Sequence, residues 1–180
     1  VYMSGGRLDN SLVIDNKPTN KTWGNLGGGV YLTGTDAVVA NCVIANNACR
    51  NNGGLYRSAN GGRVYNTIII GNTLQYTDDT DGTVSDIGYA LGAKETADEV
   101  FTSICTLEAV GTGCVTGDPL FKDATNGDFR LQTDSPCIRK GVWLDWMTVD
   151  FAGNRRVTRP GAKVDIGIYQ SDRGLMVIVR

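Results

Sequence analysis

Three stretches of the chain align on one another without a gap, and no other feature restricts the fold as much. Asn10-Ser11-Leu12-Val13-Ile14-Asp15-Asn16 matches Asn41-Cys42-Val43-Ile44-Ala45-Asn46-Asn47 and Asn66-Thr67-Ile68-Ile69-Ile70-Gly71-Asn72, at offsets of 31 and 25 residues. Val1-Tyr2-Met3, Val30-Tyr31-Leu32 and Leu55-Tyr56-Arg57 open the three units, the last two after Gly27-Gly28-Gly29 and Gly53-Gly54. A period of this length belongs to a solenoid, whose units bury their apolar faces only by stacking. Parallel strands stacked ~4.8 Å apart bring Asn10, Asn41 and Asn66 into one column and Asn16, Asn47 and Asn72 into a second. In such ladders each buried amide bonds the next and satisfies turn carbonyls that have no strand partner.

The aliphatic positions stack in the same register as Leu12/Val43/Ile68, Val13/Ile44/Ile69 and Ile14/Ala45/Ile70. A strand facing solvent on one side alternates apolar and polar residues, whereas these are apolar at three successive positions. The sheet they form is therefore expected to be covered on both faces, by the non-repeating second half or by a neighbouring domain. Twelve of the 14 asparagines fall within the first 72 residues, which sets the end of the repeats. The chain divides into repeats over 1–75, a loop insertion over 76–102 and a closing cap over 103–180. Open solenoid ends expose strand edges and apolar core and need such a cap.

Composition narrows the chemistry. Histidine is absent, which removes Ser-His-Asp and Cys-His catalysis and every His-ligated metal site. The 24 glycines, and 16 Asp against only 3 Glu, favour turns over helices. A net charge of −2 argues against a nucleic-acid partner, and no run of about 18 apolar residues marks a membrane span. The five cysteines form no CxxC pair and fit neither a zinc site nor a complete disulfide framework. Cys42 shares a column with Ser11 and Thr67 and reads as a small buried residue. Cys105 and Cys114 flank a short glycine-containing segment that a disulfide would close in an oxidising compartment, and Cys49 and Cys137 have no partner argued from sequence.

The acidic cluster Asp78, Asp79 and Asp81 is the candidate Ca²⁺ site, although the EF-type spacing fails because Gly88 stands where a final acid belongs; a solvated loop is the simpler reading. Asp78 and Asp79 also raise the question of glycoside hydrolysis, and Lys94, Arg57 and Arg63 that of a lyase base. No acid or base recurs at a fixed column, so isolated basic residues read as solvated surface and no catalytic residue is assigned. For glycan stacking the candidates are Trp23, in the long loop of the first complete unit, and the in-register Tyr2, Tyr31 and Tyr56, whose facing stays open between a core ladder and an exposed one.

The repeat Gly-Gly-Gly-Val-Tyr, then Asn-Cys-Val-Ile and Asn, resembles exported bacterial right-handed parallel β-helix proteins, notably those of Bacteroidetes. Asp118-Pro119-Leu120-Phe121, Gly127-Asp128-Phe129-Arg130-Leu131, Ser135-Pro136-Cys137-Ile138, Gly153-Asn154-Arg155 and Val164-Asp165-Ile166-Gly167-Ile168-Tyr169 follow the order of their closing block, often labelled choice-of-anchor Q. Arg139-Lys140 and Gln170 depart from that pattern. The resemblance implies an all-β, right-handed parallel β-helix (pectin-lyase-like solenoid), here C-terminal coils plus an irregular cap. It also implies an extracellular or bacterial cell-surface location, with further coils and an export signal upstream. The expected role is non-catalytic adhesion or binding of polysaccharide or cell-surface glycan. The alternative is a polysaccharide lyase or glycoside hydrolase whose active site lies largely in upstream coils. If the amide columns hold, Asn41→Leu costs about 1–3 kcal/mol by orphaning buried partners, read by denaturant unfolding.

Overall fold

The computed structural model describes residues 1–17, 26–74, 83–93, 95–156 and 159–171. Trp23, Asp78, Asp79, Asp81 and Lys94 lie outside the described residues. The first repeat supplies β1 (Tyr2–Met3), β2 (Arg7–Asp9) and β3 (Leu12–Ile14), and the second β4 (Val30–Leu32), β5 (Val38–Ala40), β6 (Val43–Ala45) and β7 (Ala48–Cys49). The third supplies β8 (Leu55–Arg57), β9 (Arg63–Tyr65), β10 (Ile68–Ile70) and β11 (Thr73–Leu74). Then come β12 (Ile87–Tyr89), the one-turn helix α1 (Ala97–Val100), β13 (Phe101–Thr102), β14 (Cys105–Thr106) and β15 (Val115–Thr116), followed by the hairpin strands β16 (Phe121–Asp123) and β17 (Asp128–Leu131).

Corresponding strands pair in parallel to give three main sheets, ordered β1-β4-β8-β12, β2-β5-β9-β13 and β3-β6-β10-β14-β15, and a small one of β7 and β11. The architecture is all-β, repeat-like and built of parallel sheets, compatible with a β-helix or other solenoid. The ungapped alignment is the register: Leu12 pairs Val43 and Val43 pairs Ile68, and the two following columns do the same. The stretch 76–102, read from sequence as a loop insertion, contributes β12 and β13 to the first two sheets. Its strands escaped notice because they carry neither the asparagines nor the aliphatic triplet.

The strands are short because left-handed residues bend the chain between sheets. Asn10, Asn41, Asn66 and Ser103 have φ of 44°, 53°, 47° and 54° between the second and third sheets, and Asp15, Asn46 and Gly71 have φ of 56°, 56° and 69° after the third. Asn, Asp and Gly tolerate this region where β-branched residues do not. Glycine meets a different demand at Gly54, where a Cβ would collide with the Asp86 carbonyl of the next repeat.

Residues from all three sheets enclose one core, with Val13, Val30, Leu32, Val39, Ile44 and Ile69 among its members. The outer face of the third sheet is covered too: Val43, Ala45, Ile68 and Cys105 meet Phe129, Cys137, Ile166 and Ile168 of the closing block. Ala40 of the second sheet meets Leu144 and Met147. The triplet of apolar positions thus has its two-sided cover.

The closing motifs are turn devices. Asp118 accepts the Leu120 N–H at 2.8 Å, and the Ser135 hydroxyl donates to the Pro119 carbonyl at 2.6 Å. Buried Asp150 accepts from the Ala152, Asn154 and Gln170 N–H groups, and buried Asp165 from those of Arg139 and Ser171. Ile68 touches both the repeats and this block, so Ile68→Ala is expected to cost about 2–5 kcal/mol, read by denaturant unfolding.

Candidate functional site

Val30, Leu32 and Leu55 of the first sheet point inward and are buried; the alternate residues Tyr2, Tyr31 and Tyr56 therefore point outward. Their register is direct, Tyr2 to Tyr31 to Tyr56. Ring centroids lie 5.6 and 5.5 Å apart with planes crossed at 87° and 61°, the edge-to-face arrangement that aromatic quadrupoles favour. Tyr2 is 68% exposed, and Tyr31 and Tyr56 are half-buried. None of the three belongs to the apolar clusters that join the sheets to the closing block. Tyr2 and Tyr31 border an open groove of about 420 Å³ that also presents Asn16, Lys17, Leu26 and Gly28. Apolar ring faces, phenol hydroxyls, an amide and one ammonium suit a polyhydroxylated ligand with acidic groups.

Arg57 follows Tyr56 and faces the other way. The sequence reading of a solvated cation is wrong here: Arg57 is 1% exposed, in the inward column of Met3 and Leu32. Its guanidinium donates to the Gly62 and Ala90 carbonyls at 2.9 and 2.8 Å and pairs with Glu95 at 2.9 Å. Exposed Arg63 donates to the Glu99 carbonyl at 3.1 Å.

The asparagine columns divide by task. In the second, Asn16 donates through Nδ2 to Asn47 Oδ1 at 2.7 Å, and Asn47 to Asn72 Oδ1 at 2.9 Å. Asn47 and Asn72 also donate to the Val13 and Ile44 carbonyls. The ladder ends on an acid, since Asp86 Oδ1 accepts both the backbone N–H and the side-chain amide of Asn72, at 2.8 and 2.9 Å. Asp86 follows Asn72 by 14 residues against repeat offsets of 31 and 25, so alignment could not find it.

The first column docks the closing block instead. Asn66 takes the Val142 N–H and donates to the Val142 carbonyl, both at 2.8 Å, while Asn10 donates to the Val149 carbonyl. Buried Arg156 donates to Asn10 Oδ1 at 3.1 Å and to the Gly167 carbonyl at 2.8 Å. Asn66 Nδ2 donates to Asn41 Oδ1 at 3.2 Å, and with the Asn41 amide turned over its oxygen instead accepts from the Arg156 guanidinium at 2.9 Å, as a cationic donor favours. Burial holds the Arg156 pKa down at about 10. No periodicity pointed to Arg156, which lies outside the repeats.

A second cleft, of about 370 Å³, is lined by Ser85, Asp86, Tyr89, Thr106 and Glu108 among others. Burial pushes the Asp86 carboxyl above the ordinary range, the two Asn72 N–H groups oppose this and Glu108 adds to it. Its Oδ2 is sealed from solvent without a partner, and Oδ1 is held by the ladder, so Asp86 is not free to meet a substrate. A third cleft, about 510 Å³, contains Lys122, Arg130 and Tyr169, but Arg130 is already bound to Asp128 at 2.6 Å. Among the described residues no cluster of Cys, Asp or Glu is placed to hold a metal ion, and no helix is long and apolar enough to cross a membrane. Cys42 is buried, and desolvation pushes its thiol up to about 12, so it is no nucleophile.

No family model, curated protein or solved structure matches the chain.

Asp86 yields a pH prediction. With its folded-state pKa raised, protonation favours the fold; that contribution is complete below the unfolded value of ~3.9 and is lost as pH rises through the folded value. Asp86→Asn removes the buried charge, and the strand register offers its amide the Ile69 carbonyl, as Ile44 serves Asn72. Its melting temperature should exceed that of the wild type at pH 7, with the gap closing toward about pH 4.

Proposed function

We propose that the chain is the closing portion of a right-handed parallel β-helix protein, pectin-lyase-like in its winding and ended by a choice-of-anchor Q type block of the Bacteroidetes kind. It works outside the cell or on the bacterial surface, in adhesion or glycan binding, without cleaving what it holds. One observation carries this reading: the closing block covers outer faces of the second and third sheets and leaves the tyrosine face of the first open beside a groove. A rigid stack presenting aromatics in register holds them at fixed spacing with little ordering cost on binding. Strands β1, β2 and β3 each end their sheet, and parallel edges of this kind accept further coils of the same protein.

The rival reading is a polysaccharide lyase or glycoside hydrolase. Hydrolysis requires two free carboxyls across a cleft, and Asp86, in the cleft it shares with Glu108, is committed to the ladder. A lyase needs a free base at a uronate carbon, and Arg57 is spent inside the core. Such activity therefore belongs to coils other than those described.

Titration against a panel of neutral and uronic-acid polysaccharides tests the proposal. Tyr31→Ala should weaken binding about tenfold, equivalent to ~1.4 kcal/mol, without altering the melting temperature by more than a few degrees, and no product should form. Unchanged affinity in both Tyr2→Ala and Tyr31→Ala moves the contact off this face, and Trp23→Ala then tests the loop. Reproducible cleavage by the chain favours the enzyme.

A further inference from the structure

We infer that Cys105 and Cys137 form a structural disulfide that fastens the closing block to the third sheet. Both side chains are fully buried and belong to one apolar cluster. Cys105 stands in the outward column that reads Leu12, Val43, Ile68, Cys105 and Val115 along the sheet. The column is aliphatic everywhere except at this level. Cys137 lies opposite, in the turn whose carbonyl accepts the Ile166 N–H at 3.0 Å and whose N–H donates to the Ser135 hydroxyl at 3.2 Å. The Cys105 thiol reaches the Gly117 carbonyl at 3.6 Å, and the neighbouring Cys137 thiol together with burial raises its pKa.

Cys42 and Cys114 face elsewhere. Cys42 faces the inner core and gives its thiol to the Leu8 and Ala40 carbonyls at 3.2 and 3.3 Å. Cys114, the partner that sequence spacing offered Cys105, is half-exposed and turned toward the Glu108 and Val115 carbonyls. The bond would close a loop of 137 − 105 = 32 residues containing β15 and the hairpin. That is long enough to restrict the unfolded chain appreciably.

The chemistry is thiol–disulfide exchange with a small-molecule or protein disulfide as oxidant. One cysteine thiolate attacks the donor disulfide and expels a donor thiolate. The second cysteine attacks the protein sulfur of the mixed disulfide and expels the other half of the donor. Overall the two cysteines lose two protons and two electrons, and the donor disulfide is reduced to two thiols. Protonated buried thiols are poor nucleophiles, so the bond forms while the closing block is still open, during folding.

The test is to refold the 180-residue chain in a reduced/oxidised glutathione buffer, block free thiols and map peptides without reduction. The expected product is a single linkage, Cys105 to Cys137, with Cys42, Cys49 and Cys114 alkylated after denaturation. Reduction should lower the melting temperature by roughly 5–10 °C. The double variant Cys105→Val, Cys137→Ala retains the aliphatic column and should show no such response to reductant. Five alkylated cysteines in the refolded protein, or linkage of Cys105 to any other cysteine, overturns the inference. The mapping uses the wild-type chain, so a poorly folding variant leaves the result intact.

Discussion

The third sheet is apolar on both faces, and this is the constraint from which the rest of the molecule follows. Val13, Ile44 and Ile69 fill the core enclosed by the three sheets, while Val43, Ala45 and Ile68 point away from it. Each large side chain on that outer face would lose roughly 1.5–3 kcal/mol if left in water, and an uncovered aliphatic strip several strands wide would invite aggregation. A solenoid with one such sheet must bring its own cover. Phe129, Ile166 and Ile168 provide it, and the irregular backbone of the closing block is tolerable because buried carboxylates satisfy its turns. Asp150 and Asp165 accept five backbone N–H groups between them, which in an all-apolar cover would be orphaned.

Polar docking gives that cover a unique position. Apolar contact alone would let the block slide along the aliphatic columns, since Val43 and Ile68 offer it similar surfaces. Asn66 prevents this by taking both the N–H and the carbonyl of Val142, and Arg156 by bonding Asn10 and the Gly167 carbonyl at once. A displacement by one repeat along the sheet would set Val142 opposite Ser103, which has no amide to hold both its N–H and its carbonyl. Burying a cation this deeply is unfavourable in itself; its compensation lies in specifying which strands the block meets.

What the sequence made legible follows from which interactions are periodic. The register of the third sheet could be read because its aliphatic columns and flanking asparagines recur together, and its two-sided burial could be read because alternation was missing. The bend at Asn10, Asn41 and Asn66 was visible as a column, but the left-handed backbone that makes it and the closing-block partners that its amides hold beside the Asn66–Asn41 contact were not. Ser103 holds the same bend without an asparagine, so the fourth repeat was hidden. Arg57 defeated the sequence because a lone arginine in an inward column looks like any surface cation; its acceptors, Gly62, Ala90 and Glu95, are fixed by the chain's return and not by local spacing. Asp86 and Arg156, which end one column and dock the other, lie off the repeat and carry no periodic mark.

The same accounting shows which ionisable groups are already committed within the described residues. A catalytic acid or base must be free to exchange a proton with substrate, and the buried ionisable groups are occupied: Asp86 by the ladder, Asp150 and Asp165 by turns, Arg57 by carbonyls and Glu95, and Arg156 by the docking seam. Fixing such groups rigidifies the stack and at the same time withdraws them from reaction chemistry. The tyrosine face shows the opposite economy. Tyr2 and Tyr31 have no apolar neighbours from the closing block to satisfy, yet they are held in register by strands whose inward residues Met3, Val30 and Leu32 are buried. An aromatic ring exposed on a rigid sheet loses little conformational freedom when a ligand stacks on it. The stability gathered on the second and third sheets is what leaves the first sheet with an ordered surface at its disposal.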